Sequence, residues 1–181
     1  SSELRRGYLV VAPNYLRGFK EVDAKIIILG NSSIKHLSSL AIHIGSAKHD
    51  VKIKILEEHD GFLFATLESK NEIFAIFGER FILRNEIGTV GGGIILNPIA
   101  EPMKKKQKIE FLTLLSENAM IKAFEMLVNV HKKGFGLIGA YQRFGLEQDA
   151  AIKIASQMDN IFVDTYEKVI YPNTTVTLLK D

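Results

Sequence analysis

The first half of the chain alternates apolar and polar residues with a period of two. In VKIKIL, Val51, Ile53 and Ile55 fall on one face and Lys52 and Lys54 on the other, because successive strand side chains point to opposite sides. Short segments rich in Val, Ile and Phe predict further strands at Tyr8–Val11, Ala24–Leu29, Leu40–Ile44, Gly61–Leu67, Arg80–Arg84 and Gly91–Leu96. Six or seven short strands favour a closed antiparallel barrel, since closure removes exposed edges.

The period changes after Pro98. A polar connector, residues 99–108, ends in KKKQK, and apolar residues then recur at helical spacing in two segments. Ser116 or Asn118 is a candidate cap of the first helix, and Gly134 ends it. The apolar positions are Ile121, Phe124, Leu127 and Val128, then Ala151, Ile154, Ala155 and Met158.

The rest of this half completes a recognisable order of elements. GAYQRFGLEQDAAIKIASQM predicts a short helix, a turn near Gly145 and a longer helix, and the tail predicts a hairpin that turns at Thr165–Lys168. Three helices followed by a hairpin are typical of a winged helix. We therefore predict a β-barrel over residues 3–98, a basic linker over 99–108 and a winged-helix domain over 109–181.

Composition narrows the class of protein. The 181 residues are 46% hydrophobic and 24% charged, as in ordinary globular proteins, and the net charge of +2 does not by itself indicate a partner. No apolar run approaches the roughly 20 residues that cross a bilayer. The N-terminus has no secretory pattern and the chain has no cysteine, so we predict a cytoplasmic protein without membrane contact.

The glycine triplet in ERFILRNEIGTVGGGIILNP raises the question of a phosphate loop. Such a loop needs either G-x-x-x-x-G-K-[ST] or G-x-G-x-x-G before a helix, whereas these glycines continue into apolar strand residues. We interpret Gly91, Gly92 and Gly93 as structural positions that allow a bulge or the close approach of another backbone.

Metal and catalytic chemistry have little support. The five histidines, His36, His43, His49, His59 and His131, are scattered and there are no cysteines to complete a zinc site. His43 and His49 flank the turn-like IGSAKHD and are candidate ligand-facing groups, although surface histidines without a ligand are more common. No G-x-S-x-G elbow appears and the acidic residues are dispersed, so no catalytic residue is assigned.

Three segments resemble one family: RRGYLVVAP, LAIHIGSAKHDVKIKIL and FGERFILRNEIGTVGGGIILNP. In order and spacing they resemble the third domain of the translational GTPases related to elongation factor Tu. The continuation through ILNP into a basic linker and a winged helix resembles the C-terminal part of the selenocysteine-specific elongation factors, and the resemblance covers almost the whole chain.

The resemblance implies a non-catalytic fragment of a larger GTPase. The whole factor would deliver selenocysteinyl-tRNA to the ribosome at recoded UGA codons with GTP hydrolysis. Its GTPase domain, with GTP and Mg²⁺, would lie before Ser1, and distal winged helices that bind the selenocysteine-insertion hairpin of the mRNA would follow Asp181. The fragment itself would hold no cofactor; it would contact the T arm of the tRNA and brace the GTPase domain.

The resemblance also implies which residues contact the tRNA. The family's contacts correspond to the turn Gly45–Asp50 and to Arg84, Asn85 and Glu86. Asp50 and Glu86 depart from the family pattern, and carboxylates are repelled by phosphate. The candidates for phosphate-directed charge are therefore Lys48, His49, Lys52, Lys54 and Arg84.

The basic linker and the predicted winged helix differ in how much positive charge they expose. For Lys104, Lys105, Lys106 and Lys108 two interpretations stay open, a solvated hinge and a contact with the RNA backbone. The candidate recognition helix, Glu147–Met158, exposes only one lysine and no arginine, which predicts a spacer rather than a groove reader. The rival hypotheses are a DNA-binding regulator with a β sensor domain, and an enzyme built on the barrel.

Overall fold

The computed structural model describes residues 16–131, 135–136, 139–158, 161–164 and 169–172. Three expectations lie outside these residues: the strand Tyr8–Val11, the helix end at Gly134 and the turn Thr165–Lys168. Gln148 and the residues of β7 to β9, defined below, are described by their backbone alone.

The first half forms a closed antiparallel barrel of six strands within the described residues. The strands are β1 (Phe19–Ile28), β2 (Ser38–Ile44), β3 (Ala47–His59), β4 (Phe62–Ile73), β5 (Arg80–Arg84) and β6 (Thr89–Asn97). Around the barrel the order is β1, β4, β3, β2, β5, β6, and β6 closes against β1. The predicted barrel is confirmed, and each predicted strand from Ala24 onward overlaps one of these.

The alternating pattern fills the barrel as expected. Val51 and Ile53 of β3 are buried whereas Lys52 is exposed, so the face predicted from VKIKIL is correct. The interior is a single cluster of aliphatic side chains with one aromatic ring, Phe81. Burial of these side chains is the main favourable term for the barrel.

The glycine triplet lies in β6, which pairs with β1 on one side and β5 on the other. A Cβ on Gly91 would lie 2.7 Å from the carbonyl oxygen of Ile27, and one on Gly92 would lie 2.9 Å from that of Phe81. A Cβ on Gly93 would overlap the carbonyl oxygen of Lys25. The structural interpretation of the triplet is confirmed, because neighbouring backbones occupy the space that side chains would need.

The second half contains four helices and three short strands in the described residues. They are α1 (Lys105–Ser116), α2 (Met120–Val130), β7 (Phe135–Gly136), α3 (Ala140–Phe144), α4 (Gln148–Ser156), β8 (Ile161–Asp164) and β9 (Val169–Pro172). The strands form one sheet in the order β7, β9, β8. The short helix, the turn at Gly145 (φ +69°) and the longer helix agree with prediction, while α1 and β7 were not predicted.

Two details of α2 differ from prediction. The N-cap is Ala119, not Ser116 or Asn118. Ser116 is the last residue of α1, and Asn118 lies in the turn that follows it. Ile121 was assigned to the apolar face, yet it is exposed; Ala123 takes its place beside Phe124, Leu127 and Val128. The buried face of α2 therefore includes the small residue Ala123 instead of the larger Ile121.

The predicted connector, residues 99–108, is helical from Lys105 onward. Its charge concealed the start of α1, whose apolar face lies further along the chain at Phe111, Leu112 and Leu115. These residues share one core with Phe64 and Leu96 of the barrel. The helical half is thus joined to the outer wall of the barrel by apolar contacts.

Polar contacts fix the same junction. The side chain of the buried Gln142 accepts a hydrogen bond from the backbone N of Arg17 (3.1 Å) and donates to the carbonyl oxygens of Arg17 (2.7 Å) and Ala75 (3.0 Å). The backbone carbonyl of Gln142 accepts from the N of Phe77 at 2.9 Å. Gln142 of α3 therefore connects the helical half to two segments of the first half, one at Arg17 and one at Ala75 to Phe77, that are distant in sequence.

A buried ionic cluster lies close to Gln142. Glu101, with its side chain 1% exposed, pairs with Arg143 of α3 and accepts from Nε2 of His131 at 2.5 Å. Burial and the nearby Arg17 lower the pKa of Arg143 to about 10, which leaves it charged at neutral pH. Burial also lowers the pKa of His131. The cluster ties the chain just after the barrel to the ends of two helices.

Candidate nucleic-acid interface

The β2–β3 hairpin and the β5–β6 hairpin are distant in sequence but adjacent in the barrel, because β2 pairs with both β3 and β5. Ala41 pairs with Asp50 on one side and with Arg84 on the other. A groove of about 540 Å³ opens over this junction. The residues that line this barrel groove are Ser39, Leu40, Ala41, Lys48, Asp50, Arg84, Asn85, Glu86 and Ile87. The two segments singled out by the family resemblance therefore form one surface.

The β5–β6 loop is held rigid by Asn85. Its side-chain oxygen accepts hydrogen bonds from the backbone N of Ile87 (2.8 Å) and of Gly88 (3.0 Å). Its own backbone N donates to the carbonyl oxygen of Gly88 at 2.9 Å. With its oxygen thus engaged, Asn85 shapes the loop, and the side chain of Ile87 is left 95% exposed at the tip.

The barrel groove carries charges of both signs. Lys48 and Arg84 are exposed cations, and Arg84 Nη1 donates to Thr89 Oγ1 at 3.1 Å, which leaves its other guanidinium donors available. Asp50 and Glu86 are exposed carboxylates in the same groove. The site can bind phosphate through Lys48 and Arg84, while the carboxylates limit where a phosphate can lie.

His49 occupies a different face from its neighbours. It pairs with Ile42, which is fully buried, and it shares the interior-facing side of β3 with Val51. It is half-buried and is not among the residues that line the barrel groove. The structure therefore does not bring His49 together with Lys48 and Arg84. Strand alternation already indicates this separation, because adjacent residues of a strand point to opposite faces.

Lys52 lines a second depression, of about 570 Å³, which adjoins the barrel groove at Ser39 and Asp50. Lys20 and Lys70, which no sequence motif singled out, line it as well. They come from different strands, so their proximity depends on the strand order and has no local signal. The sequence pattern missed them for that reason.

Lys54 is engaged in an ion pair. Its Nζ lies 2.7 Å from Oε2 of Glu68. This hydrogen bond raises the pKa of Lys54 and lowers that of Glu68. Partial burial and the neighbouring Glu68 raise the pKa of Glu21. Lys54 is thus partly neutralised within the protein and is a weaker candidate for phosphate than the exposed Lys48.

The four lysines of KKKQK divide into two groups. Lys104, Lys105 and Lys106 are exposed at the start of α1. Lys108 instead points to the barrel, where its Nζ lies 3.5 Å from the buried Asp23. Asp23 also accepts from Thr66 Oγ1 (2.6 Å) and Asn97 Nδ2 (2.8 Å). Lys108 is therefore a structural residue, and neither interpretation of the linker lysines applies to it.

In the described residues no group of three or more His, Asp or Glu side chains is placed to hold a metal ion. No helix in that part of the chain is long and apolar enough to cross a membrane.

Comparisons with known proteins give a likeness to solved structures. No family model matches the chain, and no curated protein matches it. A crystal structure of a bacterial selenocysteine-specific elongation factor superposes on 91% of the chain with a TM-score of 0.64 and 17% sequence identity. A crystal structure of sup35 complexed with GDP covers 47% of the chain at 20% identity, but its TM-score of 0.41 is too low to support an argument.

The described fold, a closed six-stranded barrel followed by helices and a small sheet, is similar to that of part of this bacterial elongation factor structure. The predicted resemblance to a part of a selenocysteine-specific elongation factor is confirmed at the level of fold. The chain spans about a quarter, 25%, of the length of that similar structure. The activity and partners of a larger protein are therefore matters for proposal.

Proposed function

We propose that this chain is part of a selenocysteine-specific translation elongation factor and contributes a tRNA contact to it. The whole factor would deliver selenocysteinyl-tRNA to the ribosome in the cytoplasm. GTP and Mg²⁺ would bind to a GTPase domain that this sequence does not contain. The chain itself would be non-catalytic.

The observation that carries this proposal is the barrel groove. Lys48 and Arg84 lie on different hairpins, yet both line one open groove beside Asn85. An open groove with two exposed cations fits an extended phosphate backbone better than an enclosed small molecule. The likeness of fold to part of a bacterial selenocysteine-specific elongation factor also supports the proposal.

A second surface supports the role of bracing another domain. Ile27 of β1 and Ile82 of β5 pair with the same residue of β6, Gly92, so all three lie on one face. Ile27 and Ile82 are 52% and 48% exposed, and Leu29, directly after the end of β1, is 50% exposed. Because Gly92 has no side chain, this face is flat and apolar, as a docked domain requires.

The helical half fits a winged helix that acts as a spacer. The order α2, β7, α3, α4, β8, β9 in the described residues supports this proposal, because a winged helix also combines helices with a terminal hairpin. The candidate recognition helix, α4, exposes Lys153 together with Asp149, and Glu147 is exposed at its N-cap. Lys153→Glu should leave binding of the mRNA hairpin by the complete factor nearly unchanged. A large loss would contradict the spacer role and favour direct reading of the hairpin.

The main rival is a DNA-binding regulator with a winged helix. It requires α4 to approach a negatively charged groove, and the carboxylates of Glu147 and Asp149 oppose that approach. An enzyme built on the barrel, the other rival, would need a general acid, general base or nucleophile in one of its grooves.

The deciding experiment compares the two nucleic acids directly. We expect the purified chain to retain selenocysteine tRNA over a random DNA duplex of similar length, weakly and with marked salt dependence. Replacing Lys48 and Arg84 together by Gln should abolish that preference. Preference for DNA, unaffected by this double substitution, would overturn the proposal and favour the regulator.

A further inference from the structure

A second basic surface lies beside the barrel groove, where the β1–β2 loop meets the start of α1. It forms an open depression of about 540 Å³. The residues that line it are Ile34, Lys35, His36, Ile55, Glu58 and Lys105. Lys35, His36 and Lys105 are exposed, as are the adjacent Lys104 and Lys106. The fold therefore gathers cations from two elements about 70 residues apart, and Glu58 is the single carboxylate in the lining.

The loop presents these groups in a fixed geometry. Nδ1 of His36 accepts a hydrogen bond from the backbone N of Ile55 at 3.0 Å, so Nδ1 carries no hydrogen and Nε2 is the donor of the neutral ring. The backbone N of Leu37 donates to the carbonyl oxygen of Ile53 at 2.7 Å. Leu37 has φ of +66°, a conformation that residues with side chains rarely adopt. Strain of this kind clusters at functional sites.

The charge of this surface is not neutralised within the described part of the protein. Among the described residues, Lys54 and Lys108 form salt bridges with carboxylates, whereas Lys35, Lys105 and Lys106 form none. The two helical lysines also occupy the first turn of α1, which contains no acidic residue. Positive charge at that end opposes the helix dipole, so their position is unfavourable unless an anion lies nearby.

The surface is close enough to the barrel groove to serve the same ligand. Strand β2 begins at Ser38, directly after the loop, and lines the groove from Ser39 to Ala41. Three residues of strand span roughly 10 Å. An RNA duplex of one turn or more is longer than this, so one duplex can contact both places.

We propose that Lys35, His36, Lys105 and Lys106 form a second phosphate-binding surface for the RNA that the barrel groove holds. This inference rests on the proposed function, because the same RNA must occupy both places. The recognised chemistry is the phosphodiester backbone: three ammonium groups and one imidazole N–H can each donate to phosphate oxygens, and none of them reads a base.

The test compares three double substitutions that each remove two positive charges. Lys35→Gln with Lys105→Gln alters the new surface, and Lys48→Gln with Arg84→Gln alters the barrel groove. Lys122→Gln with Lys153→Gln is the control, since both lysines are exposed on α2 and α4. The probe is transcribed selenocysteine tRNA, and its affinity for the purified chain is measured between about 50 and 200 mM salt.

We expect the new-surface variant to bind roughly tenfold more weakly at low salt, with a salt slope reduced by up to about 1.8, or 0.9 per lost phosphate contact. The control variant should bind as the unaltered chain does. If only the groove variant is impaired, the proposed phosphate-binding surface at Lys35 and Lys105 is disproved and the proposed function survives. If the unaltered chain does not bind this tRNA, or the control loses as much as the new-surface variant, both are overturned.

His36→Asn provides a separate readout. The shorter side chain keeps an acceptor for the N–H of Ile55 but removes the distal N–H donor. We expect two- to fivefold weaker binding without a change in thermal stability. Unchanged binding would remove His36 from the surface, whereas loss of stability together with affinity would show that the ring only supports the loop.

Discussion

Asp50 and Arg84 flank the same residue, Ala41, on opposite sides of β2. A carboxylate therefore stands in the groove beside the arginine that we propose binds phosphate. Because phosphate is repelled by Asp50, Asp50→Asn should strengthen tRNA binding two- to fivefold at low salt. The gain should shrink as salt rises, since exposed charges are screened within roughly 8–10 Å at physiological ionic strength.

The matched control for this change is Asp149→Asn, which removes the same charge from the exposed surface of α4. It should leave tRNA affinity within measurement error. Weaker binding by Asp50→Asn would mean that the carboxylate accepts a hydrogen bond from a ribose hydroxyl, and the groove would then hold the sugar rather than the phosphate.

Lys48 and Lys54 lie on the same strand and the same face, but among the described residues only Lys54 has a carboxylate partner. Lys48→Gln should weaken tRNA binding three- to tenfold and lower the salt slope by about 0.9. Lys54→Gln should change affinity less than twofold, because Glu68 already neutralises much of its charge. Filter binding of both variants across a salt series measures the difference. Equal losses would show that RNA draws Lys54 away from Glu68.

Gly93 is the least replaceable glycine of the triplet. In Gly93→Ala the new methyl would overlap the carbonyl oxygen of Lys25, which cannot move without breaking the β1–β6 pairing. We expect a loss of about 1–3 kcal/mol in the free energy of unfolding, measured with urea. Gly88→Ala is the control: its Cβ would meet nothing within 4 Å, and its stability should change by less than about 0.5 kcal/mol. Equal stability of the two variants would refute the close approach.

The barrel was predictable because its signals are local. The alternation of Val51, Lys52 and Ile53 fixes which face is buried, whatever the neighbouring strands are. The glycine triplet could be assigned to close backbone approach because no helix followed it. Which backbones approach it, those of β1 and β5, depends on the strand order and is not contained in the segment.

The candidate site was predictable only in part. Family resemblance pointed to the segments of Lys48 and Arg84, and the fold then placed them in one groove. Charge alone could not separate Lys54 and Lys108, which have carboxylate partners, from the exposed lysines. Lys35 and His36 carry no motif, and only the approach of α1 to the β1–β2 loop reveals them.

The junction between the barrel and the helical half allows a last prediction. Gln142 is buried, and its side chain makes three hydrogen bonds to the backbone of Arg17 and Ala75. In Gln142→Ala, buried backbone groups lose their partners, which should cost about 1–3 kcal/mol. Amide exchange near Ala75 and Phe77 should accelerate, and unfolding in urea should broaden or split as the halves separate.

Gln157→Ala is the matched control, because Gln157 is exposed at the end of α4 and should tolerate the change. If Gln142→Ala unfolds in one unshifted transition with unchanged exchange, the apolar contacts between α1 and the barrel alone hold the junction. If the variant behaves as expected, the direction of the helical half is fixed by α3, and a spacer with a fixed direction transmits the position of whatever its far end binds.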